Sequence, residues 1–160
     1  MTAAVTTDAR PAPKHPLPDA VRTMWRYEAA LGALAALGAA FALAAAVDAL
    51  MPWLPLAAAI SGVAWTLVVP RKRHARWRWE LHEEELDLLH GLWSVTRTIV
   101  PLTRIQHVAV QRTGWTGLFG LVVVHVHTAA GGTTIPGLHP AQADDLRDRI
   151  LARLRTPDDL

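Results

Sequence analysis

Two uncharged apolar stretches follow each other near the start of the chain, and short alternating runs fill the remainder. Ala29 to Val47 holds 19 uncharged residues and Ala49 to Val69 holds 21. At about 1.5 Å per residue, either one as a helix spans roughly the ~30 Å hydrocarbon core of a bilayer. Neither has the polar face that a hairpin in a soluble protein turns to water. The pattern predicts a transmembrane hairpin with helices at about 27–48 and 53–70. Asp48 falls at the turn, where its carboxylate reaches headgroup water; at the bilayer centre it would cost about 2.5–3.5 kcal/mol. Pro52 and Pro55 suit a turn or the opening of the second helix. Trp25 and Tyr27 flank one end, Trp53 the turn, and Trp65 and Trp77 the exit, as interfacial anchors do. Gly32 with Ala36, and Gly38 with Ala42, space small residues four apart, although an alanine-rich segment produces such pairs by chance.

From Trp77 onward the period changes to two. Trp77, Trp79 and Leu81 alternate with charged or polar residues, and Glu83-Glu84 makes a turn before Leu86 and Leu88. Val95, Arg97 and Ile99 alternate with Thr96 and Thr98; Val108 and Val110 follow, then Val122, Val124 and Val126. Ala130-Gly131-Gly132 reads as a turn and Thr133 to Ile135 as a short last strand. Pro140 opens a helix with Asp144 and Asp145 early, Arg147, Arg149 and Arg153 late, and Ala143, Leu146, Ile150 and Leu154 on one stripe. The fold class is therefore α+β: a two-helix hairpin, then a barrel or sandwich of about six or seven strands, with the last helix burying its stripe on the open end or face of the sheet. The domain organisation is a disordered Thr-, Ala- and Pro-rich tail over 1–20, the hairpin over 21–70, and a cytoplasmic module over 71–160.

Charge fixes an orientation. Lys14, Arg22 and Arg26 precede the first helix, Arg71, Lys72, Arg73, Arg76 and Arg78 follow the second, and the turn between them has no Lys or Arg. The positive-inside rule then puts both termini in the cytoplasm, with the chain a multi-pass protein of the cell inner or plasma membrane. The basic cluster either anchors this topology or reads an anionic leaflet, at about 1 kcal/mol per Lys or Arg. There is no cysteine, which excludes disulfides and thiolate chemistry.

The stretch Ile99-Val100-Pro101-Leu102-Thr103-Arg104-Ile105-Gln106-His107-Val108, then Gly114-Trp115-Thr116-Gly117-Leu118-Phe119-Gly120-Leu121, then Val126-His127-Thr128-Ala129-Ala130-Gly131, resembles the bacterial pleckstrin-homology-like "membrane-flanked domain" proteins. The resemblance covers 20–155 and includes the two preceding helices. It implies a pleckstrin-homology-like barrel capped by a C-terminal helix and tethered to the cytoplasmic face. It also implies a membrane-protein partner, such as a larger relative with repeated copies of the domain, and a setting in envelope stress or peptide-toxin defence.

The candidate chemistry is sparse. Lipid-binding relatives present Lys and Arg at the turn between their first two strands; here that turn is His82-Glu83-Glu84-Glu85, whose carboxylates repel phosphate. No phosphoinositide binding is expected there. His125 and His127 share a strand face, with His107 on a neighbouring strand; they read either as zinc ligands or as polar residues of a half-buried strand, and no carboxylate completes the ligand pattern. The two serines, Ser61 and Ser94, lie outside any nucleophile turn, and Gly131-Gly132 lacks the Lys and helix of a phosphate loop. The expectation is a non-enzymatic interaction module without cofactor, metal, small-molecule substrate or nucleic-acid partner, with an anionic-lipid sensor as the alternative. Arg104, Gln106 and His107, polar residues in an apolar setting, are the candidate partner surface, or else satisfy backbone groups at a strand entry.

Overall fold

A computed structural model describes residues 11–46, 53–129 and 131–155. Two long helices, α1 (Asp19–Ala46) and α2 (Trp53–Ala75), pack antiparallel. Only 11% of the most apolar stretch of each is buried, so these are not core helices of a soluble fold. Alanine, the strongest helix former, sets their conformation. The pair closes tightly where Gly62 meets Ala33: a Cβ on Gly62 would stand 2.9 Å from that of Ala33. A Cβ added at Gly32 or Gly38 would meet nothing within 4 Å, so these two glycines do not make the close hairpin contact. Asp48 and its turn lie outside the described residues.

Both helices run further into the β-rich module than the apolar pattern implied. α1 begins eight residues before the expected 27, at Asp19. α2 does not end at Pro70, which supplies no N–H to the Thr66 carbonyl, but continues to Ala75. The extension is held by packing and by cations at its C-terminus. Arg73 sits 4.1 Å above the Trp25 ring, and His74 Nε2 is 3.0 Å from the Leu17 carbonyl and 3.1 Å from that of Pro18.

Among the described residues, seven strands follow the expected spacing with one addition. Strands β1 (His15–Pro16), β2 (Arg78–Leu81), β3 (Glu85–His90) and β4 (Thr96–Pro101) form one antiparallel sheet in that order. A 3-10 turn at Leu102–Arg104 leads to the second sheet, β5 (Ile105–Gln111), β6 (Val122–Thr128) and β7 (Gly131–Leu138). A short helix, α3 (Gly114–Leu118), joins β5 to β6, and α4 (Pro140–Arg155) ends the fold. The last strand is longer than Thr133 to Ile135.

β1 corrects the expected tail. From Pro11 the chain is packed: His15 pairs with Trp79, Leu17 is buried, and Lys14 binds Glu80 through its backbone N–H at 3.2 Å and its ammonium at 3.3 Å. Composition alone reads this segment as disordered because its ordering depends on partners more than 60 residues away.

Register explains a second correction. Leu86 pairs with Val100 and Leu88 with Thr98, and these face the core. Val95 and Ile99 therefore lie on the outer side and are exposed, although they are the apolar members of their alternating run. On that outer side Asp87 is 1% exposed. It takes three hydrogen bonds from Arg97, the shortest 2.6 Å, and Arg97 also donates to the Pro11 carbonyl. The N-terminal segment thus roofs a buried ion pair.

The core joins both sheets to the helices. Leu86, Leu88, Val124, Val126, Ile135 and Leu138 meet Val21, Met24 and Trp25 of α1 in one cluster. Gly137 lets α1 lie on β7, since a Cβ there would stand 2.6 Å from Val21 Cγ2. α4 buries Ala143, Leu146 and Ile150 against β5, β6 and the 3-10 turn, whereas Leu154 is 40% exposed and stands beyond the stripe's buried part. Trp25 and Trp77, expected at the lipid interface, are each 5% exposed and belong to this core; Tyr27, Trp53 and Trp65 are exposed.

Candidate interaction surface

The basic residues after the second apolar run differ in what they contact. Arg73 stacks on Trp25, Arg76 donates to the Leu92 carbonyl, and Arg78 donates to its neighbour Trp77 at 2.8 Å. Arg71 and Lys72 are exposed where the uncharged run ends. Arg73 thus ties α2 to α1 and Arg76 ties the end of α2 to the module, while Arg71 and Lys72 stand at the surface.

Arg104, Gln106 and His107 separate. Ile105 is buried in the core, and a bulge between Ile105 and His107 shifts the register of β5 against β6. His107 comes to lie opposite His127 with ring centroids 4.3 Å apart, and His125 lies 6.3 Å from His127 on the same outer face. His125 Nδ1 is 3.1 Å from Thr134 Oγ1. The neighbouring-strand placement of His107 is as expected, but among the described residues no three of these ligand types converge on one point. Gln106 is exposed.

Arg104 instead stands at the mouth of a cleft. β4 and β7 each end their sheet, and the two edges face one another across an opening. One part of it, about 260 Å³, is lined by Thr98 to Pro101, Arg104, Thr128 and Gly131 to Thr133. The adjoining part, about 540 Å³, shares Thr98, Gly132 and Thr133 and reaches Trp77, His90 and Arg73. A cleft with sheet edges along its sides and a guanidinium at either end accommodates an extended chain carrying carboxylates. The periodicity could not show this, because the two edges meet only through the facing of separate sheets.

At the other end of the first sheet, a hollow of about 500 Å³ is bounded by Glu83, Glu84, Glu85 and Arg97. Its carboxylates make it unsuited to phosphate.

Sequence reasoning missed the junction between α3 and α1. Thr113 caps α3, accepting from the Thr116 N–H at 3.1 Å while Thr116 Oγ1 accepts from the Thr113 N–H at 3.0 Å. Trp115 Nε1 donates to Glu28 Oε1 at 2.9 Å, and the Phe119 ring lies 5.7 Å from Tyr27. The available signal was a Trp and a Phe in a Gly- and Thr-rich segment, with Glu28 the last charge before the apolar run.

Comparison with known proteins agrees with this architecture. The family described as bacterial PH domain matches residues 29–154. The "UPF0699 transmembrane protein YdbS" of Bacillus subtilis (strain 168) is 38% identical over 107 residues, covering 62% of this chain and 67% of the relative. No solved structure matches. With two apolar membrane-length helices leading into two antiparallel sheets and a closing helix, the chain belongs to the bacterial PH domain family and is a membrane protein.

Proposed function

We propose that this protein is a non-enzymatic interaction module at the cytoplasmic face of the inner or plasma membrane, with both termini cytoplasmic. In this reading it works by assembling with another membrane protein, such as a larger relative with repeated PH-like domains. The observation that carries it is the cleft between the edges of β4 and β7, with Arg104 at one end and Arg73 at the other. An extended, carboxylate-bearing segment of the partner adds along a sheet edge there, its backbone hydrogen bonds supplying affinity and the two arginines fixing its position. Envelope stress or peptide defence is the physiological setting this assembly would serve.

Purification of the full chain from native membranes in mild detergent tests the proposal. One stoichiometric membrane partner is expected, and Arg104→Glu, at an exposed position, should release it while the protein keeps its thermal transition. Retention of the partner by Arg104→Glu, or its absence from the wild-type preparation, overturns the reading.

Exposed Arg71 and Lys72 support a second reading, recognition of anionic headgroups. In nanodiscs, neutralising both as Gln should then remove about 2 kcal/mol of preference for anionic over neutral lipid, at about 1 kcal/mol each. An unchanged preference assigns them to topology alone.

A further inference from the structure

We propose that the Gly114–Gly120 segment is a second membrane contact, a wedge seated in the interfacial layer of the bilayer beside the first transmembrane helix; this rests on the membrane reading above. Three observations place it there.

The first is height. Trp115 is bonded to Glu28 and Phe119 packs near Tyr27, so α3 sits on α1 at that level. The contact between Ala33 and Gly62 sets the antiparallel register, which brings Tyr27 and Glu28 opposite Val68 and Leu67. Those residues precede Arg71 and lie within the uncharged run. The segment is therefore level with the last apolar turn of α2, on the lipid side of the basic cluster.

The second is its surface. Leu118 is 77% exposed, and Tyr27 and Leu31, one turn apart on α1, are 56% and 57% exposed. The outward surface of the segment continues the lipid-facing surface of the hairpin, and this continuity identifies the bilayer as its occupant.

The third is its backbone. The Thr113–Thr116 capping box satisfies the start of α3. At its end Gly120 takes φ +66, and the N–H groups of Gly120 and Leu121 return to the Gly117 and Thr116 carbonyls at 3.1 and 3.0 Å. Pairing these groups within the turn lowers the cost of entering a poorly hydrated layer. Trp115 directs its one N–H at a carboxylate and its ring at Phe119, 5.3 Å away, the amphipathic arrangement of an interfacial tryptophan.

The chain has no cysteine, so Leu118→Cys gives a single labelling site that the core does not use. Full-length protein would be reconstituted in phosphatidylcholine–phosphatidylglycerol vesicles and labelled there with an environment-sensitive fluorophore. Leu34→Cys in the hairpin and Asp148→Cys on α4 serve as lipid and water references. The expected result is blue-shifted emission at position 118, quenched more by acyl chains spin-labelled near the headgroup than by chains labelled deep. Position 34 should show the deep pattern and position 148 no quenching. Water-like emission at 118 overturns the wedge, as does blue-shifted emission that spin-labelled lipid leaves untouched, which would mean that protein covers it. If position 34 also escapes quenching, it is the membrane reading itself that fails.

Discussion

The two halves of α1 are continuous helix in two different solvents. Toward its C-terminus Leu31, Leu34, Phe41 and Leu43 are all more than half exposed, and the buried residues are the small Ala40 and Ala44. Toward its N-terminus Val21, Met24 and Trp25 are 5% exposed or less, on the stripe that meets the sheets, while Arg22, Thr23 and Arg26 alternate with them. One half is apolar all round because lipid surrounds it; the other is amphipathic because one side is core and the other water. The membrane anchor is thus itself an element of the domain, and the module has no flexible tether over which to swing.

If the N-terminal half of α1 is core, a charge there should do the most damage. Val21→Asp leaves an unpaired carboxylate among apolar side chains and should cost about 3–5 kcal/mol. Thermal or denaturant unfolding in detergent, followed by tryptophan emission, should show the domain lost. The same residue type in the other half acts through a different equilibrium. Leu34→Asp should cost about 2.5–3.5 kcal/mol of insertion, read as a falling membrane-integrated fraction, because position 34 touches no core. An equal unfolding penalty from both substitutions would erase the distinction between the halves.

Smaller changes sharpen it. Gly137→Val places carbon where α1 already lies and should cost about 1–3 kcal/mol by overpacking, seen as a lowered Tm. At the boundary between the halves, Trp115→Phe keeps the ring and removes the bond to Glu28. It should cost about 1 kcal/mol, and hydrogen exchange in the α3 segment should rise more than in β6.

Much of this was legible in the residues. The hairpin follows from two uncharged runs long enough to span a bilayer, the strands from period-two alternation, and the closing helix from Pro140 and the stripe through Ile150. The misreadings share one cause. Trp25 and Trp77 stand near the ends of apolar runs, and such proximity does not say which side of the helix meets protein. Val95 and Ile99 alternate correctly, yet register turned them outward. Asp87 sits beside three glutamates, and nothing near it in sequence shows that Arg97 on the next strand pairs with it or that Pro11 covers the pair. Around the proposed site, Arg104 stands out in sequence as a polar residue in an apolar stretch, but the cleft it borders does not.

What the sequence determined by itself is local: which segments enter lipid, where the backbone turns, and which positions alternate. These depend on side-chain transfer energies and on backbone preferences within a few residues, so no knowledge of distant partners is needed. Tertiary structure alone decided which face of each strand is covered, that the tail becomes a strand, that the anchor helix enters the core, and that two sheet edges frame a cleft. Each of those depends on groups far apart in sequence, and only packing brings them within range.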